Sequence, residues 1–227
     1  RHWRGASPVE GPRAPQYVIF ELASGHAGDS GGLREMRPGA RINTATLDCR
    51  DLQVAEDGSF DILVAPEKPA GYEGNFMLSR RESHGSEYVG RYLSCRELFH
   101  DWAHEDLLDL EILRLGCERE PRPAIDAAAA ISLMERVGEL TKNQVHFWNA
   151  FYTITLETYG KVAGSPSAIG GSDRQFMPVN DMNPPNALGL ATGGGQSTNI
   201  YSGGVYRLSR DEALVFECEL RETPSFM

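Results

Sequence analysis

Gln16 to Leu22 (QYVIFEL) is the first run in which apolar and β-branched residues crowd together, and its length and composition predict a strand. Before it, residues 1–15 hold three prolines and two glycines without periodicity and read as an extended arm. After it, Ser24 to Gly39 is polar and glycine-rich, carries His26, Asp29 and Gly31-Gly32, and reads as a long loop. From Arg41 the pattern is one of short β-runs, at 42–47, 51–54, 59–65 and 75–79. Asp57-Gly58, between the second and third of these, is a hairpin signal, because Gly accepts the positive φ of a tight turn. Tyr88 to Phe99 and Leu107 to Leu115 add two further strands, with Leu108, Leu110 and Ile112 alternating at a period of two.

The period then changes. Across Ala124 to Tyr159, Ile131, Met134, Val137 and Leu140 recur every three to four residues, which places them on one helical face. Thr141 with Gln144 has the form of a capping box, and this divides the region into helices near 125–140 and 142–158. Val145, Trp148, Tyr152 and Leu156 form the apolar stripe of the second, and the aromatic series Phe147, Trp148, Phe151, Tyr152 and Tyr159 reads as a packing surface. Residues 160–196 are rich in Gly, Pro, Ser and Asn, and a loop of that length reads as a lid, an arm or a tether. Asn199 to Leu208 and Ala213 to Leu220 are the closing strands. The order predicts a mainly β protein: a jelly-roll-like antiparallel β-sandwich over 16–227, with a helical-pair insertion at 124–159 and the long loop at 160–196.

Charge and cysteine usage narrow the partners. With 22 Lys+Arg against 32 Asp+Glu the net charge is −10, which argues against a nucleic-acid partner, whose affinity would come from clustered cations. No window approaches 18 consecutive apolar residues, so no membrane span is expected. No basic-then-apolar stretch at the start suggests a signal peptide. Cys49, Cys95, Cys117 and Cys218 lie tens of residues apart without a CxxC pair and read as buried thiols, which points to the cytoplasm.

Candidate chemistry is sparse. His100-Asp101-Trp102-Ala103-His104 has the H-D-x-x-H form, a relative of the zinc-binding H-E-x-x-H, so His100 and His104 are the metal-ligand candidates. That reading requires a helix, whereas the flanks look like strand and no third ligand is spaced to join them; a polar connection is the plainer reading. Gly193 to Gly195 fails as a phosphate loop because Gln196 stands where Lys is required. No Gly-x-Ser-x-Gly elbow or dinucleotide fingerprint is found, so no cofactor is expected.

Several pieces taken in order resemble the DUF1214 family of bacterial proteins of unknown function. Asp57-Gly58-Ser59-Phe60 is similar to the family's D-G-S-F segment, and Gly74-Asn75-Phe76 to its G-N-W, with Phe in place of Trp. Arg96-Glu97-Leu98-Phe99-His100-Asp101-Trp102 resembles its R-x-x-F/Y-x-D-W strand end, and Leu110-Glu111-Ile112 its following L-x-I. Phe147-Trp148, Tyr201-x-x-Gly204-x-Tyr206-x-Leu208 and Asp211 to Leu214 complete the series. The resemblance implies a jelly-roll-like β-domain and no established reaction or cofactor. It also implies further strands after Ala213 to Leu220, so that a second chain or segment covers that edge.

Two functions follow as expectations. The first is an accessory or interaction module in a bacterial cytoplasmic assembly, partnered by another protein chain or by its own copies. The alternative is a small-molecule site, enzymatic or not, at one end of the sandwich. There Asn75, Arg96, Asp101, Trp102, Asn199 and Tyr201 would offer a cation, an acid, amides and aromatic faces to a small polar organic ligand.

Overall fold

A computed structural model describes residues 14–37, 39–117, 120, 124–158, 180–182, 201–204 and 206–217. Asn199, Tyr159, Cys218, most of the arm at 1–15 and the loop at 160–196 apart from 180–182 lie outside the described residues. Among the described residues seven strands come first: β1 (Tyr17–Ala23), β2 (Asn43–Asp48), β3 (Ile62–Ala65), β4 (Asn75–Leu78), β5 (Arg80–Ser83), β6 (Ser86–Val89) and β7 (Tyr92–Leu98). Among the described residues one long helix, α1 (Ala127–Thr158), follows, and a 3-10 turn at Leu33–Met36 interrupts the first loop. The described part is thus mainly β by element count, as the short runs predict.

β1 is the centre of a three-stranded antiparallel sheet of order β2-β1-β7. Its alternation divides the sheet into two unlike faces. Val18, Phe20 and Leu22 point to one side and form the core with Leu52 and Met77, joined by Ala45, Leu47, Phe60, Ile62 and Cys95. Met77 is 0% exposed and belongs to the second sheet, so the core is held between the two. Gly90, between β6 and β7, must be Gly for a steric reason. A Cβ there would stand 2.5 Å from Leu22 Cγ and 2.8 Å from Thr44 Oγ1.

The second sheet departs from the expected pattern. β3 and β4 pair in parallel, Ile62 opposite Asn75 through Ala65 opposite Leu78, over a connection much shorter than parallel pairs usually have. Asp57-Gly58 does turn tightly, with Gly58 at φ +84° and Asp57 Oδ1 accepting from both Ser59 N–H and Oγ–H. It joins no two strands, because 51–54 lies outside any ladder. The hairpin that does form is β5–β6, closed by His84 (φ +50°) and Gly85 (φ +72°) as a two-residue turn.

Two further expectations are corrected. Leu107 to Leu115 is not a strand: only Leu108 reaches the core, while Leu107, Leu110, Ile112, Leu113 and Leu115 stay exposed. Its alternation finds no ladder among the described residues, and without one a period of two has no backbone partner to fix it. The same holds for 206–208 and 213–217. The helical pair is one continuous helix. Thr141 is not a cap: its hydroxyl donates to Val137 O at 2.8 Å, one turn back, and Gln144 Nε2 donates outward to Ala27 O at 2.8 Å. With helical backbone on both sides, no N–H is left for a cap to accept.

Candidate functional site

The second face of the central sheet is polar, and this is where charge is brought together. Along β1 the residues between the core positions are Tyr17, Ile19, Glu21 and Ala23, opposite Arg96, Ser94 and Tyr92 on β7 and Asp48 and Thr46 on β2. Glu21 is buried; Asn43 Nδ2 donates to its Oε1 at 3.0 Å, and Arg96 Nη2 lies 3.7 Å from its Oε2. Asp48, also buried, accepts from Tyr17 Oη–H at 3.3 Å and from the backbone and guanidinium of Arg50. The Arg50 hydrogen bonds, with Tyr17 adding to them, outweigh burial and hold the Asp48 carboxyl below its ordinary range.

This face runs on into the loop between β1 and β2. Burial pushes the Glu35 carboxyl up, but the Ser30 hydroxyl (2.5 Å), the N–H groups of Ser30 (2.6 Å) and Gly28 (2.7 Å) and the Arg41 guanidinium (3.6 Å) outweigh it and hold it low. Asp29 accepts from His26 N–H at 2.8 Å, and the His26 ring packs on Tyr92 at 4.3 Å. Burial, followed by the neighbouring Asp29, raises the Tyr92 hydroxyl. Helix α1 grips this loop from outside: Asn143 Nδ2 donates to Asp29 O at 2.9 Å beside the Gln144 bond to Ala27.

Of the predicted site residues, Arg96 stands on this polar face, paired with Glu21 and with its side chain 38% exposed. Asn75 is buried in the frame: its Oδ1 accepts from Gln53 N–H at 2.7 Å and its Nδ2 donates to Gln53 O at 2.8 Å and Asp61 O at 2.9 Å. Asp101 closes its own turn, accepting from Ala103 N–H at 3.2 Å and lying 2.7 Å from His104 Nδ1. Trp102 is 79% exposed and stacks on Phe99 at 4.5 Å. Tyr201 is exposed at the start of the last described stretch. The H-D-x-x-H segment is a single turn closed at Asp101, not a helix of several turns, and among the described residues no three His, Cys, Asp or Glu side chains are grouped to hold a metal. An open cavity of about 290 Å³ lies elsewhere, between 180–182 and 204–217, walled by Met182, Tyr206 and Leu214 to Phe216. Asn180 pins it, its side chain donating to Arg207 O at 2.9 Å and accepting from Arg207 N–H at 2.7 Å.

The polar face was missed in the sequence, although one sign of it was legible. Glu21 interrupts an otherwise apolar strand, and a charge in a run buried on both sides must find partners. The partners, Arg96 and Asn43, are distant in the chain.

No family model matches the chain, and no curated protein does. A crystal structure of an uncharacterized protein from Burkholderia cenocepacia is similar to it, with a TM-score of 0.56 and 20% identity. The match covers 88% of this chain and 45% of that one, so this chain spans less than half the length of its structural neighbour. The likeness is one of fold. Among the described residues no helix is long and apolar enough to cross a membrane.

The carboxylates of this region make stability depend on pH. Both Glu35 and Asp48 are held low when folded, so each favours the folded state fully above its unfolded value and loses that contribution as pH falls through the folded one. Urea midpoints are expected to hold near neutrality and drop as pH falls below about 4, each carboxyl contributing at most about 1.4 kcal/mol per pH unit in that window. Glu35→Gln should flatten the acid slope; an unchanged slope in this variant would count against the loop network.

Proposed function

We propose that the chain is an interaction module of a bacterial cytoplasmic assembly, akin to the DUF1214 proteins that its motifs resemble. One observation carries this reading. Helix α1 leaves Met134, Val137, Val145, Trp148 and Tyr152 exposed, Met134 by 74%, beside the Asn143 and Gln144 side chains that anchor it to the body. Apolar surface contiguous over several helical turns marks an interaction site. The apolar residues of 107–115 add to it.

The β2-β1-β7 sheet, with the β3–β4 pair across its apolar face, is read as part of a jelly-roll-like sandwich. Free thiols at Cys95 and Cys117 support the cytoplasmic placement, since an oxidising compartment favours pairing. Burial lifts the Cys95 thiol to about 11, with Glu97 adding to it, which keeps that thiol protonated and inert. A second reading rests on Arg96: a half-open guanidinium beside a buried carboxylate suits a small polar organic ligand carrying its own carboxylate.

Native mass spectrometry of the protein purified from its source tests the module. The expected spectrum contains the chain in a stoichiometric complex, and a bare monomer would refute the reading. A small-molecule adduct that disappears in Arg96→Ala would move the assignment to the second reading.

A further inference from the structure

We infer that Glu35 is the positioning residue for helix α1, acting through two peptide groups that hold its carboxylate on one side and the helix on the other. Gly28 N–H donates to Glu35 Oε2 at 2.7 Å, and Ser30 N–H donates to Oε1 at 2.6 Å. The carbonyls of those same two peptide groups, Ala27 O and Asp29 O, accept from Gln144 Nε2 at 2.8 Å and Asn143 Nδ2 at 2.9 Å. A peptide group is planar and, with no cis bond among the described residues, its N–H and C=O point opposite ways. Drawing each N–H inward to Glu35 therefore turns each C=O outward to α1. Glu35 places both helix amides without touching either.

The loop is shaped for this double contact. Gly28 has φ +93° and Gly31 φ +75°, which a residue with a side chain adopts only under strain. A Cβ on Gly28 would stand 2.7 Å from Gln144 Cδ and Oε1, and one on Gly31 would stand 3.2 Å from Asn143 Cα. Both glycines thus let the loop wrap the carboxylate and meet the helix at once. Asn143 and Gln144 lie four and three residues before the buried Phe147, on the same side of α1. Burial of the Phe147 ring is non-directional, so the two amides are what fix the rotation and register of the helix.

One of the two relays runs further, to an aromatic ring. Trp148 Nε1–H donates to Gln144 Oε1 at 2.9 Å, Gln144 Nε2–H to Ala27 O, and Gly28 N–H to Glu35. All three donors point toward the carboxylate, so its negative charge polarises the chain in one sense and strengthens each bond. The Ser30 hydroxyl and the Arg41 guanidinium hold the carboxylate in place from the loop side. The apolar core beneath the central sheet draws no residue from 24–37 or from α1. Helix α1 is therefore a strap latched at one carboxylate, and losing that carboxylate loosens the helix while the sheet stays folded. The latch belongs to the free chain and stands whatever α1 binds.

Amide hydrogen exchange and proton–nitrogen NMR of the full chain test the latch. Glu35→Gln keeps the side chain's size but removes the charge and turns an NH2 group toward one of the two backbone donors. Exchange across 127–158 should then quicken about tenfold or more while β1 amides keep their parent rates. The Trp148 indole N–H resonance, identified by its loss in Trp148→Phe, should move upfield as its hydrogen bond weakens. A crossed pair of substitutions leaves Glu35 in place and decides the matter even where Glu35→Gln does not fold. Because coupling through a peptide group runs both ways, Gln144→Ala should shift the Gly28 amide more than that of Ser30, and Asn143→Ala should do the reverse. Equal loss of protection in β1 and α1 on Glu35→Gln would make Glu35 a general stabiliser and overturn the inference. Unchanged α1 exchange in that variant, or amide shifts that do not follow the crossed pattern, would overturn it as well.

Discussion

Asn75→Ala should destabilise the fold by about 2–4 kcal/mol, because three backbone groups lose their partner at once. The carboxamide stands at the start of β4 and links the Gln53 segment to the Asp61 carbonyl just before β3, so it holds the irregular 51–54 stretch against the parallel pair. Alanine would leave one N–H and two carbonyl groups in a part-buried setting with water able to replace few of them. Aspartate is no substitute: it can accept from Gln53 N–H but would turn a carboxylate toward two carbonyl oxygens. Urea unfolding checks this. Arg80→Ala provides the contrast, expected to cost below about 1 kcal/mol since its ion pair with Glu87 is exposed on both sides. An Asn75→Ala variant as stable as the parent would mean that the three bonds do not hold the frame.

Phe147→Ala should cost about 3–5 kcal/mol and loosen α1 from the body. Phe147 is 1% exposed, the one fully buried side chain among the described residues of the helix, and its ring packs edge-on to Trp148 at 5.1 Å. The side-chain amides of Asn143 and Gln144 also hold the helix to the body, and alone they cannot offset the loss of a buried ring. Hydrogen exchange across 127–158 should rise well before exchange in β1. Val145→Ala, at an exposed position, is expected to leave both the exchange pattern and the unfolding midpoint close to those of the parent. Equal effects of the two substitutions would place the anchor elsewhere.

What could be seen in the residues alone was local. QYVIFEL announces β1 because β-branched and aromatic side chains crowd one short run, and the helical period of 124–159 announces α1. Thr141 with Gln144 misleads because a Thr inside a helix and a Thr capping one look alike until the backbone around them is known; here its hydroxyl bonds one turn back. Strand pairing is a non-local fact, which is why Asp57-Gly58 suggests a hairpin while β3 takes β4 as a parallel neighbour. The 107–115 alternation shows the converse, a strand-like pattern with no described ladder. For the site, Arg96 was legible as a strand-end cation, but its meeting with Glu21 depends on the register of β1 and β7. The Glu35–Arg41 pairing inside a glycine-rich loop was not legible, since such composition reads as open and solvated.

The position of β1 also sets the order in which the fold can be completed. It is the first described strand, yet its register joins Tyr17 to Leu98 and Ala23 to Tyr92, so it waits about 70–80 residues for its second neighbour. At a synthesis rate of roughly 5–20 residues per second that is about 4–16 s. During this interval β2 can close one edge, but Val18, Phe20 and Leu22 lack the full sheet that later buries them. Among the strand pairings this closing contact is therefore also the most expensive in chain entropy, and sheet formation should be governed by the docking of β7. A nascent chain stalled before Tyr92 would present an apolar strand with an open edge, the form most prone to wrong pairing.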